Sequence, residues 1–150
     1  MHTLKTRLSV ALSTFAIAAL LSGTAMAEDT LRTIKFLAGH TSVAIHDDLV
    51  ERDSHIFVFA AEAGQEANIQ VKSLEENADL TIYQPPSKIE HDADGLDVDG
   101  EILQGGKPVP GLDPGATRHW QGKLPASGSY YIELVSDRGN VTYDLTVSIK

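Results

Sequence analysis

An all-β protein, folded as a single antiparallel β-sandwich, is what the sequence predicts. Three observations carry that prediction. Apolar residues recur at every second position in several short runs, the period that turns one face of a strand to a core and the other to water. Turn residues separate those runs at regular intervals. No helical periodicity follows residue 27.

The N-terminus is of another kind. Lys5 and Arg7 precede an apolar run from Leu8 to Leu21, which leads through Ser22-Gly23-Thr24 to the triplet Ala25-Met26-Ala27. A basic start, a short apolar centre and an A-x-A site describe a secretory signal peptide over residues 1–27. The alternative is an uncleaved anchor, but the run is shorter than the ~20 residues a span needs. Residues 28–150 are therefore expected to be a secreted single domain.

In that domain Ile34 and Phe36 alternate with Thr33 and Lys35 as a first strand. Gly39-His40-Thr41-Ser42 is a turn, and Val43 and Ile45 begin a second strand. Asp47-Asp48 and Glu51-Arg52-Asp53 read as a charged loop. The run from His55 to Ala61 is apolar on both faces, as a central strand can be. Ala63-Gly64-Gln65-Glu66 turns the chain into a strand marked by Ile69 and Val71. Another, marked by Leu80 and Ile82, ends at Pro85-Pro86. Residues 84–116 lack periodicity and are rich in Gly, Pro and Asp, a long irregular acidic loop. Thr117 to Leu124 reads as a weak strand anchored by Trp120.

The C-terminal stretch is the clearest. Tyr130, Ile132 and Leu134, then Val141, Tyr143, Leu145, Val147 and Ile149, alternate with more polar neighbours on either side of Ser136-Asp137-Arg138-Gly139-Asn140. Two long strands joined in this way are predicted to form a β-hairpin. A lone hairpin is not stable in water, so the upstream strands must supply its cover.

Composition narrows function. The absence of cysteine excludes a disulfide framework, a thiolate nucleophile and a Cys-ligated zinc. Without Lys5 and Arg7 the chain keeps 10 basic against 21 acidic residues, a net charge of −11. Such a surface argues against nucleic acid and anionic membranes and favours a basic partner or a cation, beside its ordinary role in solubility.

Glu90 to Glu101 is the densest charge cluster, and Asp92, Asp94, Asp97 and Asp99 are its candidate calcium ligands. The EF-hand spacing is not met: counting from Asp92, Leu96 falls on a ligand position and Asp97 on the glycine position. A mobile acidic loop and a docking surface for a basic partner are the other readings. The histidines show no metal spacing. His46 with Asp47 and Asp48 meets His55 at a metal only if their loops converge; exposed strand ends are the plainer expectation. No G-x-S-x-G elbow surrounds Ser127 or Ser42, and paired acids such as Asp97 and Asp99 lack an aromatic sugar platform. No enzyme is predicted.

With these residues laid out, the chain resembles the bacterial pre-peptidase C-terminal (PPC-like) β-sandwich. The likeness rests on Phe57-Val58-Phe59-Ala60 followed by Ala63-Gly64-Gln65, on Leu124-Pro125-Ala126-Ser127-Gly128 leading to Tyr130, and on the Tyr143 to Ile149 strand. It is more closely similar to the periplasmic inhibitors of g-type (goose-type) lysozyme. Phe36 followed by Gly39-His40-Thr41-Ser42, the Gly64-Gln65 turn, Leu124 to Gly128, Arg138 and the terminal Ser148-Ile149-Lys150 carry that similarity. It spans the mature chain apart from residues 84–116.

The resemblance implies a periplasmic binding protein with no catalytic group and no cofactor, whose partner is a g-type lysozyme or another basic protein. It implies that loops at one end of the sandwich enter the enzyme's substrate groove. Ser127 and Arg138 fall at positions of inhibitory loops, joined at that end by the 39–42 loop with His40 and Ser42 and the 51–53 loop with Arg52. Arg52 stands where the family carries a tyrosine, and the loop after Arg138 is shorter than the family's. An arginine offers a planar donor fork that matches a carboxylate, and Ser127 adds a hydroxyl donor. Each residue also has a plainer role: Arg138 as a solvated turn residue, Ser127 as the neighbour of Gly128, and Arg52 in a surface ion pair of at most ~1 kcal/mol. The alternative function is a PPC-like accessory module that binds calcium, glycan or another envelope protein through the 90–101 loop.

Overall fold

The computed structural model describes residues 30–87, 91–92, 95–96 and 106–150. The predicted signal peptide and most of the acidic cluster lie outside them. The strands are β1 (Thr30–Thr33), β2 (Ser42–Leu49), β3 (Ser54–Ala61), β4 (Glu66–Ser73), β5 (Ala78–Gln84), β6 (His91–Asp92), β7 (Gly95–Leu96), β8 (Lys107–Pro108), β9 (His119–Lys123), β10 (Gly128–Ser136) and β11 (Val141–Ile149). They build a five-stranded sheet, β1-β3-β10-β5-β8, over a four-stranded sheet, β2-β11-β4-β9, with β6 and β7 paired separately. The all-β sandwich is the observed fold. Among the described residues no helix is long and apolar enough to cross a membrane.

Three details correct the sequence reading. The first strand is Thr30–Thr33, upstream of Ile34 and Phe36. It runs parallel to β3, whereas every other pairing is antiparallel. The third concerns the C-terminal pair, which is not a hairpin. β10 bonds to β3 and β5 in one sheet, whereas β11 bonds to β2 and β4 in the other. The turn between them carries the chain across the sandwich. Period-two alternation does not separate the two arrangements, because strands lying side by side and strands lying face to face both need one apolar side.

The same crossing recurs along the chain. From β1 to β5, and from β9 to β11, every successive strand lies in the opposite sheet. Tyr130, Ile132 and Leu134 of β10 and Tyr143, Leu145 and Val147 of β11 therefore bury their side chains in the shared core, with Phe57, Phe59, Ile69, Leu80 and Ile82. Each such aliphatic or phenyl side chain contributes ~1.5–3 kcal/mol over leaving it in water. Trp120 is buried in the same core, as its anchoring role predicts.

The registers define two poles. At one, Leu49 lies opposite Val141, Ser54 opposite Val135 and Ala78 opposite Ser136, so the turns 50–53, 74–77 and 137–140 cluster there. At the other, Ala61 lies opposite Gly128, Ser42 opposite Ser148 and Glu66 opposite Lys123, which gathers the turns 37–41, 62–65 and 124–127. The nine residues of β10 separate the poles by roughly 30 Å at ~3.3 Å per residue.

Candidate functional site

The two poles divide the residues singled out from the sequence. Arg52 and Arg138 lie on the turns of the first pole. Ser127, His40 and Ser42 lie at the second. The expectation that all five gather at one end is therefore corrected, and the reason is elementary: Ser127 and Arg138 flank opposite ends of the same strand, β10.

The arginine pole is built from three turns bonded to one another. Gly139 takes φ +61° and reverses the chain after Arg138. Ser136 Oγ donates to the carbonyl oxygens of Arg138 (3.1 Å) and Gly139 (2.6 Å). Asn77 Nδ2 donates to the Arg138 carbonyl at 2.9 Å, and the Asp137 N–H donates to the Asn77 carbonyl at 3.1 Å. The Arg138 guanidinium reaches the Glu75 carbonyl at 3.0 Å. On the other side, Asn140 Oδ1 accepts from the Glu51 N–H at 2.9 Å and ties in the turn that holds Arg52. Arg52 and Glu76 adopt φ of +73° and +53°, the left-handed conformation that tight turns use.

Around the arginines the rim exposes two apolar side chains, Leu74 at 98% and Val50 at 54%. At the same pole Arg118, its side chain 42% exposed, approaches three acids. Its Nε lies 3.3 Å from Asp79 Oδ1, and its terminal nitrogens lie 3.9 Å from Glu76 Oε2 and from Asp137 Oδ2. Burial pushes the Asp79 carboxyl above its usual range and Asp137 adds to that, while the Arg118 charge works in the other direction.

At the serine pole the polar groups hold the chain to itself. Ser127 Oγ accepts the Ala63 N–H at 2.9 Å. The Tyr130 hydroxyl donates to the Ala126 carbonyl at 2.7 Å and accepts its N–H at 3.1 Å, with the ring stacked on Phe59 at 5.5 Å. Backbone bonds join Gly64 to Leu124 and Leu124 to Gln65. Gly128 sits at φ +142°, and a β-carbon there would lie 3.0 Å from Pro85.

The remaining candidates fall elsewhere. Of the predicted calcium ligands, Asp94, Asp97 and Asp99 lie outside the described residues, and Asp92 is described only as backbone in β6. Among the described residues no three His, Asp or Glu groups are arranged to hold a metal ion. His46 is exposed on β2, with its Nδ1 2.8 Å from Asp144, whose hydrogen bond and charge raise its pKa. His55, expected at an exposed strand end, is buried instead, with Nδ1 2.7 Å from the Tyr143 hydroxyl. Arg32 pairs with Asp47 beside it and holds that carboxyl below its usual range. The Arg32–Asp47 pair joins β1 to β2, His46 with Asp144 joins β2 to β11, and His55 with Tyr143 joins β3 to β11.

No protein-family model matches the chain. It is 25% identical over 138 residues to a curated "inhibitor of g-type lysozyme" from Escherichia coli strain K12, covering 88% of this chain and 90% of the relative. The crystal structure of a periplasmic lysozyme inhibitor of g-type lysozyme from Aeromonas hydrophila superposes with a TM-score of 0.57 at 23% identity, over 82% of this chain and all of that one. The corresponding inhibitor from Salmonella Typhimurium gives a TM-score of 0.57 at 19% identity, with the same coverage. The chain is similar to the inhibitors of g-type lysozyme. The solved structures share the sandwich with it; the sequence match extends the likeness through nearly all of both chains.

Leu74, Asn77, Asp79 and Arg118 belong to the arginine pole and were not singled out from the sequence. Asp79 had a readable signal, being the lone charge in its strand and flanked there by Ala78 and Leu80. Arg118 had none, because its partners lie far away along the chain.

Proposed function

We propose that this protein is a periplasmic inhibitor of g-type lysozyme, a binding protein rather than an enzyme, and that the arginine pole is its contact surface. The carrying observation is the sequence similarity to a curated inhibitor over 88% of this chain and 90% of the relative. Chemistry supports this choice of surface. A groove that cleaves sugar polymers is lined by carboxylates, and Arg52 and Arg138 bring guanidinium forks to one rim on turns braced against each other. Bracing lowers the ordering cost of association. Leu74 and Val50 add exposed apolar area between polar neighbours, the composition of an interface core and rim. The surrounding acids and the net charge of −11 after residue 27 would speed encounter with a basic enzyme.

On this reading Ser127, His40 and Ser42 shape the opposite pole and do not touch the enzyme. The test is a lysis assay: residues 28–150 are titrated into a goose-type lysozyme digesting cell walls. Inhibition at micromolar protein or below is expected. Full lytic activity at that concentration would overturn the reading.

A further inference from the structure

We infer that Arg118 is the positioning residue of the arginine pole, a single guanidinium that locks the 74–77 and 137–140 turns to β5 and thereby aims Arg138. The inference rests on the contact surface proposed above and adds to it a residue that acts through Arg138.

The base of the Arg118 side chain is fixed from both sheets. The carbonyl of Thr117 accepts the Leu80 N–H of β5 at 2.7 Å, and the carbonyl of Arg118 accepts the Val71 N–H of β4 at 2.9 Å. At this point the chain bridges the two layers, so the guanidinium starts from a rigid place. It then meets one acid from each of three elements: Asp79 on β5, Glu76 on the 74–77 turn and Asp137 on the 137–140 turn. Only a forked cation serves three directions at once; an ammonium is a point charge.

The three arms are unequal. Asp79 is 4% exposed, and its Oδ1 makes no hydrogen bond, so Arg118 is the charge that compensates it. A buried carboxylate without compensation is costly, which makes this arm the anchor. The arms to Asp137 and Glu76 reach exposed groups and act on geometry more than on stability. Both belong to turns that hold Arg138 directly, Asp137 through its N–H on the Asn77 carbonyl and the 74–77 turn through the Glu75 carbonyl. Release of Arg118 therefore loosens the frame of Arg138.

The test combines inhibition with amide hydrogen exchange at Asp137. Arg118→Ala should weaken inhibition of a goose-type lysozyme about tenfold, ~1.4 kcal/mol, and quicken Asp137 exchange. Arg118→Ala combined with Arg138→Ala should be no weaker than Arg138→Ala alone, because the first acts through the second. Arg118→Lys should fall between wild type and Arg118→Ala.

Additive losses in the double variant, or a folded Arg118→Ala with unchanged inhibition, would overturn the inference. Should Arg118→Ala not fold, Asp137→Asn removes one exposed arm only. It should weaken inhibition about two- to threefold, again without effect in the Arg138→Ala background; an effect that persists there overturns the inference. If the wild-type protein does not inhibit at all, the proposed function falls. Protection of the residue 137 amide, taken relative to its intrinsic exchange rate, then decides the positioning role, and unchanged protection in Arg118→Ala or Asp137→Asn overturns it.

Discussion

The two ends of the sandwich present different side chains. At the serine pole, side-chain oxygens are turned inward to the backbone: Ser127 to Ala63, and Tyr130 to Ala126. At the arginine pole Ser136, Asn77 and Asn140 are turned to the backbone in the same way, but the turns also carry the long side chains of Arg52, Val50 and Leu74 outside. The serine pole is the closing end, exposing Leu37 but no arginine on its turns; the arginine pole closes the fold and presents guanidinium groups besides. A turn residue's chemistry is thus a poor guide to its use until the direction of its hydrogen bonds is known.

The largest effect that would sharpen this contrast is expected at the closing end. Gly128→Ala forces a β-carbon against Pro85 at a φ of +142°, and should destabilise the protein by about 2–3 kcal/mol in urea unfolding. Inhibition per folded molecule should stay unchanged. Next, Arg138→Ala should weaken inhibition by about 2 kcal/mol while moving unfolding by no more than ~0.5 kcal/mol. The reverse pattern, stability lost and inhibition kept, would exchange the roles of the two poles. Ser127→Ala leaves the Ala63 N–H without its acceptor and should cost about 1 kcal/mol of stability, with inhibition intact. A loss of inhibition there would return Ser127 to the contact surface.

The smallest effect lies on neither pole. His46 has a pKa raised by Asp144, so its contribution to stability is full below its unfolded value of about 6.5. That contribution disappears as the pH rises through the raised value. His46→Ala should therefore unfold slightly more easily than wild type at about pH 5 and identically at about pH 9.

Much of the fold was legible. Period-two runs such as Val141 to Ile149 announce strands whatever their partners, and the alternation of buried and exposed residues along β11 follows the sequence pattern. The partition of strands between sheets was not legible. Ser136 to Asn140 suits a hairpin and a crossing turn equally, and only the upstream partners of β10 and β11 decide between them. The split of the candidate site could have been read: a nine-residue strand between Ser127 and Arg138 cannot bring its ends together. The Arg118 anchor could not, because it depends on Asp79 and Asp137 meeting it in three dimensions.

The crossing of every successive main strand from layer to layer has a kinetic consequence. A chain of this kind gains little from neighbours in sequence and must close long loops before any sheet has an edge to grow from, which sets it among slow-folding β topologies. β11, the last of the described strands, is also an inner strand of its sheet, flanked by β2 and β4. Without β11, β2 loses its one neighbour among the described strands of that layer, and the β4–β9 pair is left alone to cover the opposite sheet.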